Sequence, residues 1–211
     1  MIRIVHIVNQ FFAGIGGEDK ADVPVGISEG PIGSARGLQS QLGDRGQVVA
    51  TIYFGDNYFH EHKDEAVKAI LAGLETHRPD VIIAGPAFNA GRYGLACVEI
   101  CQVASERLGL RCITGMEAEN PAVSAYRDTH NERVFLFPTT ETAAGMARAL
   151  AVMAPFACRL ALGDEVGPPE AEGYLSRGIR RLTRTDRPAV DRAIDMLLAK
   201  VAGKPFETEV P

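Results

Sequence analysis

A glycine-rich turn carries polar side chains directly after a short apolar run. Residues 81–84 are followed by Gly85-Pro-Ala-Phe-Asn-Ala-Gly-Arg-Tyr-Gly94, which places an amide, a guanidinium and a phenol between glycines. The apolar run is typical of a strand that is buried on both faces, and a helical pattern begins after the turn. Parallel sheets present ligand-binding groups in this way at their carboxyl edge. We therefore expect Asn89, Arg92 and Tyr93 to line a binding site.

Polar residues also follow the ends of two other predicted strands. Asn9 and Gln10 come after the run at 2–8, and Asp56 comes after the run at 48–54. Because the carboxyl ends of parallel strands meet at one edge of a sheet, we expect these three side chains to join those of the glycine-rich turn. If Glu117, which follows a further strand, joins them, the resulting set has one fixed cation and at least two possible anions. It suits a small zwitterion better than a nucleotide.

Two carboxylates and an amide leave the end of a further strand. Glu117, Glu119 and Asn120 follow the run at 110–114. A carboxylate whose pKa is raised toward neutrality by burial can act as a general base. We therefore expect Glu117 to be a candidate catalytic group, and Glu119 and Asn120 to bind substrate.

The stretch at 11–33 is rich in glycine and proline and has no clear periodicity. Loops of this length in a compact domain are commonly functional or disordered. We expect a lid that brings Glu18 to the site, with an interface loop and a phosphate cradle as alternatives. A nucleotide fingerprint is weak, since neither the strand-GxGxxG-helix spacing nor a Walker lysine is present.

The cysteines are the possible thiol nucleophiles. They are Cys97, Cys101, Cys112 and Cys158, and no two form a CxxC pair, which predicts reduced thiols in a cytoplasmic protein. Cys97 lies about one turn into a predicted helix, where the positive end of the helix dipole can lower a thiol pKa. It is therefore a candidate catalytic residue, with simple burial as the alternative. No His, Cys or Asp cluster has the spacing of a metal site.

Five β-rich runs alternate with helical segments, at 2–8, 48–54, 81–84, 110–114 and 133–137. This alternation predicts an α/β three-layer sandwich around a five-stranded, mainly parallel sheet with right-handed crossovers. We expect the flavodoxin-like strand order 2-1-3-4-5, whose crevice lies where strands 1 and 3 diverge. One domain would cover 1–163. A linker, an arginine-rich segment, a last helix and a tail, at 164–211, would pack on the same domain.

Composition limits the choice of partners. The 211 residues have 22 basic and 27 acidic side chains, a net charge of -5, which argues against a general nucleic-acid surface. No uncharged apolar stretch approaches the ~18 residues of a membrane span. The arginine-rich segment at 177–187 is either a solvated or partner-binding face or an anion clamp. The long loop, this segment and the tail predict a homo-oligomer or a hetero-complex.

Several motifs resemble one family closely. They are Asn9-Gln-Phe-Phe-Ala-Gly-Ile-Gly-Gly-Glu18, the Gly85–Gly94 turn, Thr114-Gly-Met116, Glu119-Asn-Pro121 and Glu172-Gly-Tyr-Leu-Ser-Arg-Gly-Ile-Arg180. Together they resemble the amino-terminal half of the selenoprotein B subunit of glycine, sarcosine and betaine reductases, along essentially the whole chain. The resemblance implies a substrate-specific component of a reductive C–N cleavage system. In that family a pyruvoyl-bearing partner engages the amine, and a selenocysteine takes up the carboxymethyl fragment.

The chain departs from the family pattern because it has no selenocysteine, which the family carries in its later half. The resemblance therefore implies no cofactor in this chain and a partner chain that carries the Sec or Cys redox centre or the pyruvoyl group. The substrate would be a small amine or amino acid. One alternative is a stand-alone enzyme that uses Cys97, Glu117 or Glu119 on a small amine or carbonyl compound. A second alternative is a non-catalytic binding or scaffold module.

Overall fold

A six-stranded mixed sheet organises the chain. The computed structural model describes residues 1–179 and 186–206. The strands in this part are β1 (Ile2–Asn9), β2 (Gly26–Glu29), β3 (Gly46–Phe54), β4 (Val81–Phe88), β5 (Arg111–Met116) and β6 (Val134–Pro138). Their order across the sheet is β2-β3-β1-β4-β5-β6. Every pairing is parallel except that of β2 with β3.

The predicted number of five strands was wrong, because the sheet has one further edge strand. The five predicted strands are β1, β3, β4, β5 and β6, and they have the predicted order, 2-1-3-4-5 when counted among themselves. The additional strand, β2, has four residues and lies within the loop at 11–33. It pairs antiparallel with β3, with Ile27 opposite Ile52. A segment this short has no period of its own, so pairing with β3 rather than local sequence makes it a strand.

The strand β4 also continues beyond the point where we expected it to stop. Gly85 and Pro86, joined by a cis peptide bond, lie inside it. After an irregularity, Phe88 pairs with Met116 of β5. The polar turn therefore begins at Asn89, after the strand has reached the edge of the sheet.

Helices connect the strands. They are α1 (Gln10–Ala13), α2 (Ala35–Leu42), α3 (Asp56–Glu61), α4 (Lys63–His77), α5 (Gly91–Leu108), α6 (Ala122–Asp128), α7 (Met146–Leu162), α8 (Pro169–Glu172) and α9 (Ala189–Val201). Short 3₁₀ turns lie at Glu18–Lys20, Gly43–Arg45 and Ala143–Gly145.

Helices cover both faces of the sheet, and each face has its own apolar core. Val5, Ile7 and Ile82 point to the core on the side of α4, α5 and α6. Ile4 and Ile83 point to the core on the side of α2 and α7. Neighbouring strand residues alternate between the two faces, as the pleat of a strand requires. The result is a layered α/β fold.

The helix α7 lies in the second core. Among the described residues, the segment Ala143–Leu162 is long and apolar enough to cross a membrane by length and composition. Met153, Ala154 and Ala157 on it are fully buried in the core. The inner helix of a globular domain has this composition too, so the segment is weak evidence for a membrane span.

The chain after α7 returns to the sheet. Tyr174 is 3% exposed and packs against the rings of Phe135, Phe137 and Phe156. The Leu175 amide donates to the Leu136 carbonyl at 2.7 Å. Part of the arginine-rich segment lies outside the described residues, namely 180–185, and so does the tail at 207–211.

Candidate functional site

Asp56 is held at the carboxyl edge of the sheet by two residues from the end of β1. Asn9 pairs with Phe54 across the parallel strands β1 and β3, which brings the two strand ends together. The Asn9 Nδ2 group donates to Asp56 Oδ2 at 3.0 Å. Gln10 Oε1 accepts a hydrogen bond from the Asp56 backbone N–H at 3.2 Å. The predicted meeting of Asn9, Gln10 and Asp56 is therefore present in the structure.

The side chains of Asn9 and Gln10 also form hydrogen bonds with nearby backbone groups. Asn9 caps α1, since its Oδ1 accepts from the Phe12 amide at 3.1 Å. Gln10 Nε2 donates to the Gly17 carbonyl at 3.4 Å and so reaches the loop. Their side chains are buried and committed to protein partners. They are thus better suited to positioning Asp56 than to direct contact with a ligand.

The Asp56 carboxyl group has one oxygen without a described partner. Its Oδ1 is buried and accepts no hydrogen bond from the described residues. Burial raises the pKa of this carboxyl, while the Asn9 hydrogen bond and the Arg92 charge lower it and the Glu18 charge raises it. A buried acceptor without a donor is costly, and a ligand N–H would satisfy it.

Arg92 supplies the positive charge of the site from the first turn of α5. Its guanidinium is exposed, and Nη1 donates to Asn57 Oδ1 at 2.8 Å. Asn57 directly follows Asp56, so this contact links α5 to α3. A side chain that only braces its turn would be expected to bond backbone carbonyls. The hydrogen bond that the structure gives this side chain goes to a side-chain amide instead.

Asn57 was not among the predicted site residues. Its signal was its place in Gly55-Asp56-Asn57 at the end of β3. What the sequence could not indicate is the direction in which α5 starts, and that direction decides which side chain the Arg92 guanidinium meets.

The loop at 11–33 is fastened to the same corner. The amides of Gly55 and Asn57 donate to the carbonyls of Val23 and Ala21 at 2.8 and 3.0 Å. A Cβ on Gly55 would lie 2.1 Å from the Ala21 carbonyl oxygen, so the approach requires glycine. Glu18 lies in this loop, on an exposed 3₁₀ turn, and its charge acts on Asp56. The loop therefore lies beside Asp56 at this corner of the sheet.

Asn89 begins the turn that follows β4. Its backbone N–H donates to the Glu141 carbonyl at 3.2 Å, and the residue is exposed. Phe88 before it has φ of 53°, a left-handed conformation that is uncommon for a non-glycine residue. The turn therefore holds Asn89 at the surface, where its amide is accessible.

Asn120 supports this turn from the neighbouring strand end. It is 2% exposed, and its Nδ2 donates to the carbonyls of Phe88 and Ala90 at 2.9 and 3.3 Å. Its Oδ1 accepts from the Ala122 amide at 3.0 Å. Every one of these partners is backbone, so the geometry favours bracing of the turn over the predicted substrate contact. Gly94 allows the fit, since a Cβ there would lie 2.8 Å from Asn120 Oδ1.

Glu117 and Glu119 lie at the end of β5, beside that turn. Glu117 Oε2 accepts from the Glu119 backbone N–H at 2.7 Å, which closes a local turn. No described hydrogen bond joins either carboxylate to Asp56 or Arg92. A general-base role for Glu117 stays a prediction.

Tyr93 and Cys97 lie beneath the site rather than in it. Both are buried, Cys97 completely, and burial raises both pKa values well above their usual range. The Tyr93 hydroxyl lies beside the Asn9 backbone and the Cys97 thiol, without a well-formed hydrogen bond. The Cys97 thiol also lies beside Thr114, a residue that the sequence analysis left outside the site.

A protonated, inaccessible thiol is a poor nucleophile. All four cysteines are free and buried. A catalytic role for Cys97 therefore stays a prediction that the structure does not favour.

The site opens into a groove of about 570 Å³ along the outer side of α5. Asp56 and Arg92 lie at its lining, together with Lys63, Leu95 and Glu99. Lys63 and Glu99 form an ion pair at 2.9 Å. Within the described residues, no three His, Cys, Asp or Glu side chains cluster as metal ligands.

The fold and the site define a class: an α/β protein with a small polar site at the switch between β1 and β4, where such sheets bind their ligands. The site combines a fixed cation, a buried carboxylate and a fastened loop.

The comparisons with known proteins give the family. The family model described as glycine/sarcosine/betaine reductase selenoprotein B matches residues 1–211, and the chain belongs to this family. It is 42% identical over 209 residues to a glycine reductase complex component B subunit gamma from Carboxydothermus hydrogenoformans. It is 43% identical over 210 residues to a sarcosine reductase complex component B subunit beta from Peptoclostridium acidaminophilum. A betaine reductase complex component B subunit beta from the same organism is 39% identical.

The chain spans about half the length of these curated relatives. The matches cover 99% or 100% of the chain, but only 47% or 48% of the relatives. The matched part corresponds to the amino-terminal half of the family. No solved structure matches the chain significantly.

Proposed function

We propose that this chain is the part of a glycine/sarcosine/betaine-reductase-like component B that binds the small amine or amino acid. The observation that carries the proposal is the presence of Asp56 and Arg92 on one groove at the carboxyl edge of the sheet, with the Arg92 charge acting on the Asp56 carboxyl. Family membership supports the reaction class, reductive C–N cleavage. The names of the relatives as complex components support a hetero-oligomeric assembly.

The two charged groups match the two ends of an amino acid. A guanidinium binds a carboxylate through two parallel N–H donors, a geometry that lysine cannot reproduce. The free Oδ1 of Asp56 would accept a hydrogen bond from the substrate ammonium group. Asn89 would contact the substrate from the turn, and Glu18 would add negative charge from the loop. The role of this chain is then to bind and orient the substrate and to exclude water.

The redox chemistry would come from outside these 211 residues. The chain has no selenocysteine, and its four cysteines are buried. In the proposed system a Sec or Cys centre, with a pyruvoyl group on a further partner, would supply the group that takes up the carbon fragment. Free thiols persist in the reducing environment of the cytoplasm, and we propose that the protein is cytoplasmic.

The substitution Arg92→Lys tests the site. It keeps the charge but removes the bidentate donors, so we expect glycine or sarcosine to bind at least tenfold more weakly, a loss of ~1.4 kcal/mol. The melting temperature should be nearly unchanged, because Arg92 is exposed and bonds a neighbouring side chain. Calorimetric titration and a thermal melt measure the two quantities.

Arg107→Lys is the matched control, because it makes the same exchange at an exposed position near the other end of α5. It should change neither quantity. If Arg92→Lys instead lowered stability strongly and left binding per folded molecule intact, Arg92 would be a structural brace and the site assignment would fail.

A further inference from the structure

The helix α9 has a continuous apolar stripe that is exposed to solvent. Val190, Ile194, Leu197, Leu198 and Val201 recur at spacings of four, three, one and three residues. At 100° per residue these side chains fall on one face, about 100° wide. Leu197 is 60% exposed and Val201 is 79% exposed.

The stripe points away from the rest of the described structure. Arg192, Met196 and Ala199, on the opposite side of α9, are the residues of this helix that are partly covered. No residue of α9 is fully buried. An amphipathic helix normally turns its apolar stripe to the core. Because α9 does the reverse, its stripe is suited to a surface outside the described chain.

Length points to one occupant for this surface. The curated relatives match this chain throughout, including the segment of α9, and more than half of each relative lies outside the match. Since the match corresponds to their amino-terminal half, that remainder follows the position of α9 directly. A polypeptide that follows α9 in the sequence is held close to the stripe by its attachment. A second copy of the chain is not held there, so the stripe is better explained as a contact with the remainder.

We propose that the stripe of α9 is the docking surface for the polypeptide that corresponds to the carboxyl-terminal remainder of component B. That polypeptide is either joined to this chain or made separately. The proposal rests on the proposed function in one respect, namely that the assembly contains this polypeptide. It adds the location of the contact, which is α9, whereas the site residues Asp56 and Arg92 lie on α3 and α5.

Photocrosslinking in the organism that encodes the chain tests the proposal. A p-benzoylphenylalanine is placed at Leu197 of the full tagged chain, and at Asp195 as a matched exposed position on the same helix outside the stripe. After irradiation, mass spectrometry identifies the linked peptide. We expect the Leu197 probe to link to a sequence that aligns with the carboxyl-terminal part of the component B relatives, at least tenfold more than the Asp195 probe.

Three results would overturn the proposal: linkage of the Leu197 probe to a second copy of this chain, linkage to a protein without that similarity, or no linkage above the Asp195 level. The variant Leu197→Ala gives a second measure. Alanine preserves the helix and trims only the stripe. If the remainder is a separate chain, its co-purification should weaken at least tenfold; if it is joined, the crosslink from a probe at Val201 should weaken at least tenfold. Co-purification or crosslinking, respectively, equal to that of the unchanged chain would also count against docking.

The two proposals fail separately. Leu197→Ala should leave binding of glycine or sarcosine at the Asp56 site unchanged. Arg92→Lys should leave the crosslink from Leu197 unchanged. If the unchanged chain binds glycine but the Leu197 probe gives no crosslink, docking alone fails. If the crosslink forms but the unchanged chain binds no glycine, the site assignment alone fails.

Discussion

At the scale of single residues, the candidate site depends on a carboxylate that the fold positions but leaves partly without hydrogen bonds. Asn9 and Gln10 hold Asp56 through its Oδ2 and its backbone N–H, and Oδ1 remains without a described donor. Since burial raises the pKa of this carboxyl, its ionised form depends on nearby positive charge. A bound ammonium group would favour ionisation in the same way as Arg92 does. Ligand binding and ionisation of Asp56 are therefore coupled.

A second buried polar group supports the site from below the turn. The His6 Nε2–H donates to the Gly85 carbonyl at 2.7 Å, and His6 is completely buried. Burial lowers the pKa of His6 from 6.5 to about 4, although the bond to Gly85 opposes this. The imidazole is therefore neutral at pH 7, and it anchors the strand segment that leads to Asn89.

The lowered pKa of His6 predicts a loss of stability in acid. Between pH 6.5 and about 4 the unfolded chain binds a proton at this histidine while the folded chain does not. The free energy of unfolding must then fall as the pH drops through this range, by up to ~3 kcal/mol from this group. Urea unfolding at pH 7 and pH 4.5 measures the fall.

His6→Gln is the control for this prediction. The glutamine amide can still donate to the Gly85 carbonyl but does not titrate, so the variant should lose less stability between the two pH values. Carboxylates elsewhere contribute equally to both proteins. An equal fall in both would mean that His6 is not the group responsible.

At the scale of elements, the sequence was sufficient for the elements that have their own periodicity. The five predicted strands and their order depend on apolar runs and on helical crossovers, which are local patterns. The strand β2 was missed because a partner strand creates it. The extension of β4 to Phe88 was missed because Gly85-Pro86 is a sequence signal for the end of a strand. The strand continues because Phe88 pairs with Met116 of β5, a contact that the local sequence does not indicate.

The same limit applies to the site. Asn9, Gln10 and Asp56 could be predicted together, since strand ends of a parallel sheet converge. Asn120 has the same residue type and a similar position at a strand end, yet it bonds backbone groups of a neighbouring turn. Only the direction of a side chain separates a ligand-binding amide from a bracing amide, and spacing in the sequence does not contain it.

The segment after α7 gives a prediction at this scale. We propose that residues 164–179 belong to the same domain as the sheet, because Tyr174 packs among Phe135, Phe137 and Phe156. Tyr174→Ala should then lower the free energy of unfolding by about 3 kcal/mol or more, the usual cost of removing a buried ring. Chemical denaturation of the whole chain measures this value.

Tyr174→Phe separates packing from hydrogen bonding. It removes the bond from the Tyr174 hydroxyl to the Gly167 carbonyl, at 3.0 Å, and the long bond that the hydroxyl accepts from Arg177 Nη2, at 3.5 Å; the loss should cost about 1 kcal/mol. A cost below ~0.5 kcal/mol for the alanine variant is typical of a surface residue and would indicate that the segment is independent of the core.

At the scale of the whole molecule, the candidate site and the stripe of α9 occupy different parts of the chain. Asp56 and Arg92 lie at the starts of α3 and α5, whereas the exposed stripe lies on α9. A chain that binds substrate at one place and a further polypeptide at another fits a component that presents substrate to chemistry supplied elsewhere.

Binding of half-substrates to site variants tests this account most directly. Acetate has only the carboxylate of glycine, and methylamine has only the ammonium group. NMR titration of the unchanged chain, Arg92→Lys and Asp56→Asn with glycine, acetate and methylamine measures nine affinities in one design.

The proposed site predicts a crossed pattern. Arg92→Lys should weaken the binding of glycine and acetate at least tenfold and leave the binding of methylamine unchanged. Asp56→Asn should weaken the binding of glycine and methylamine and leave the binding of acetate unchanged. If both variants weakened all three ligands equally, or if none of the three bound the unchanged chain, Asp56 and Arg92 would not be the two ends of an amino-acid site.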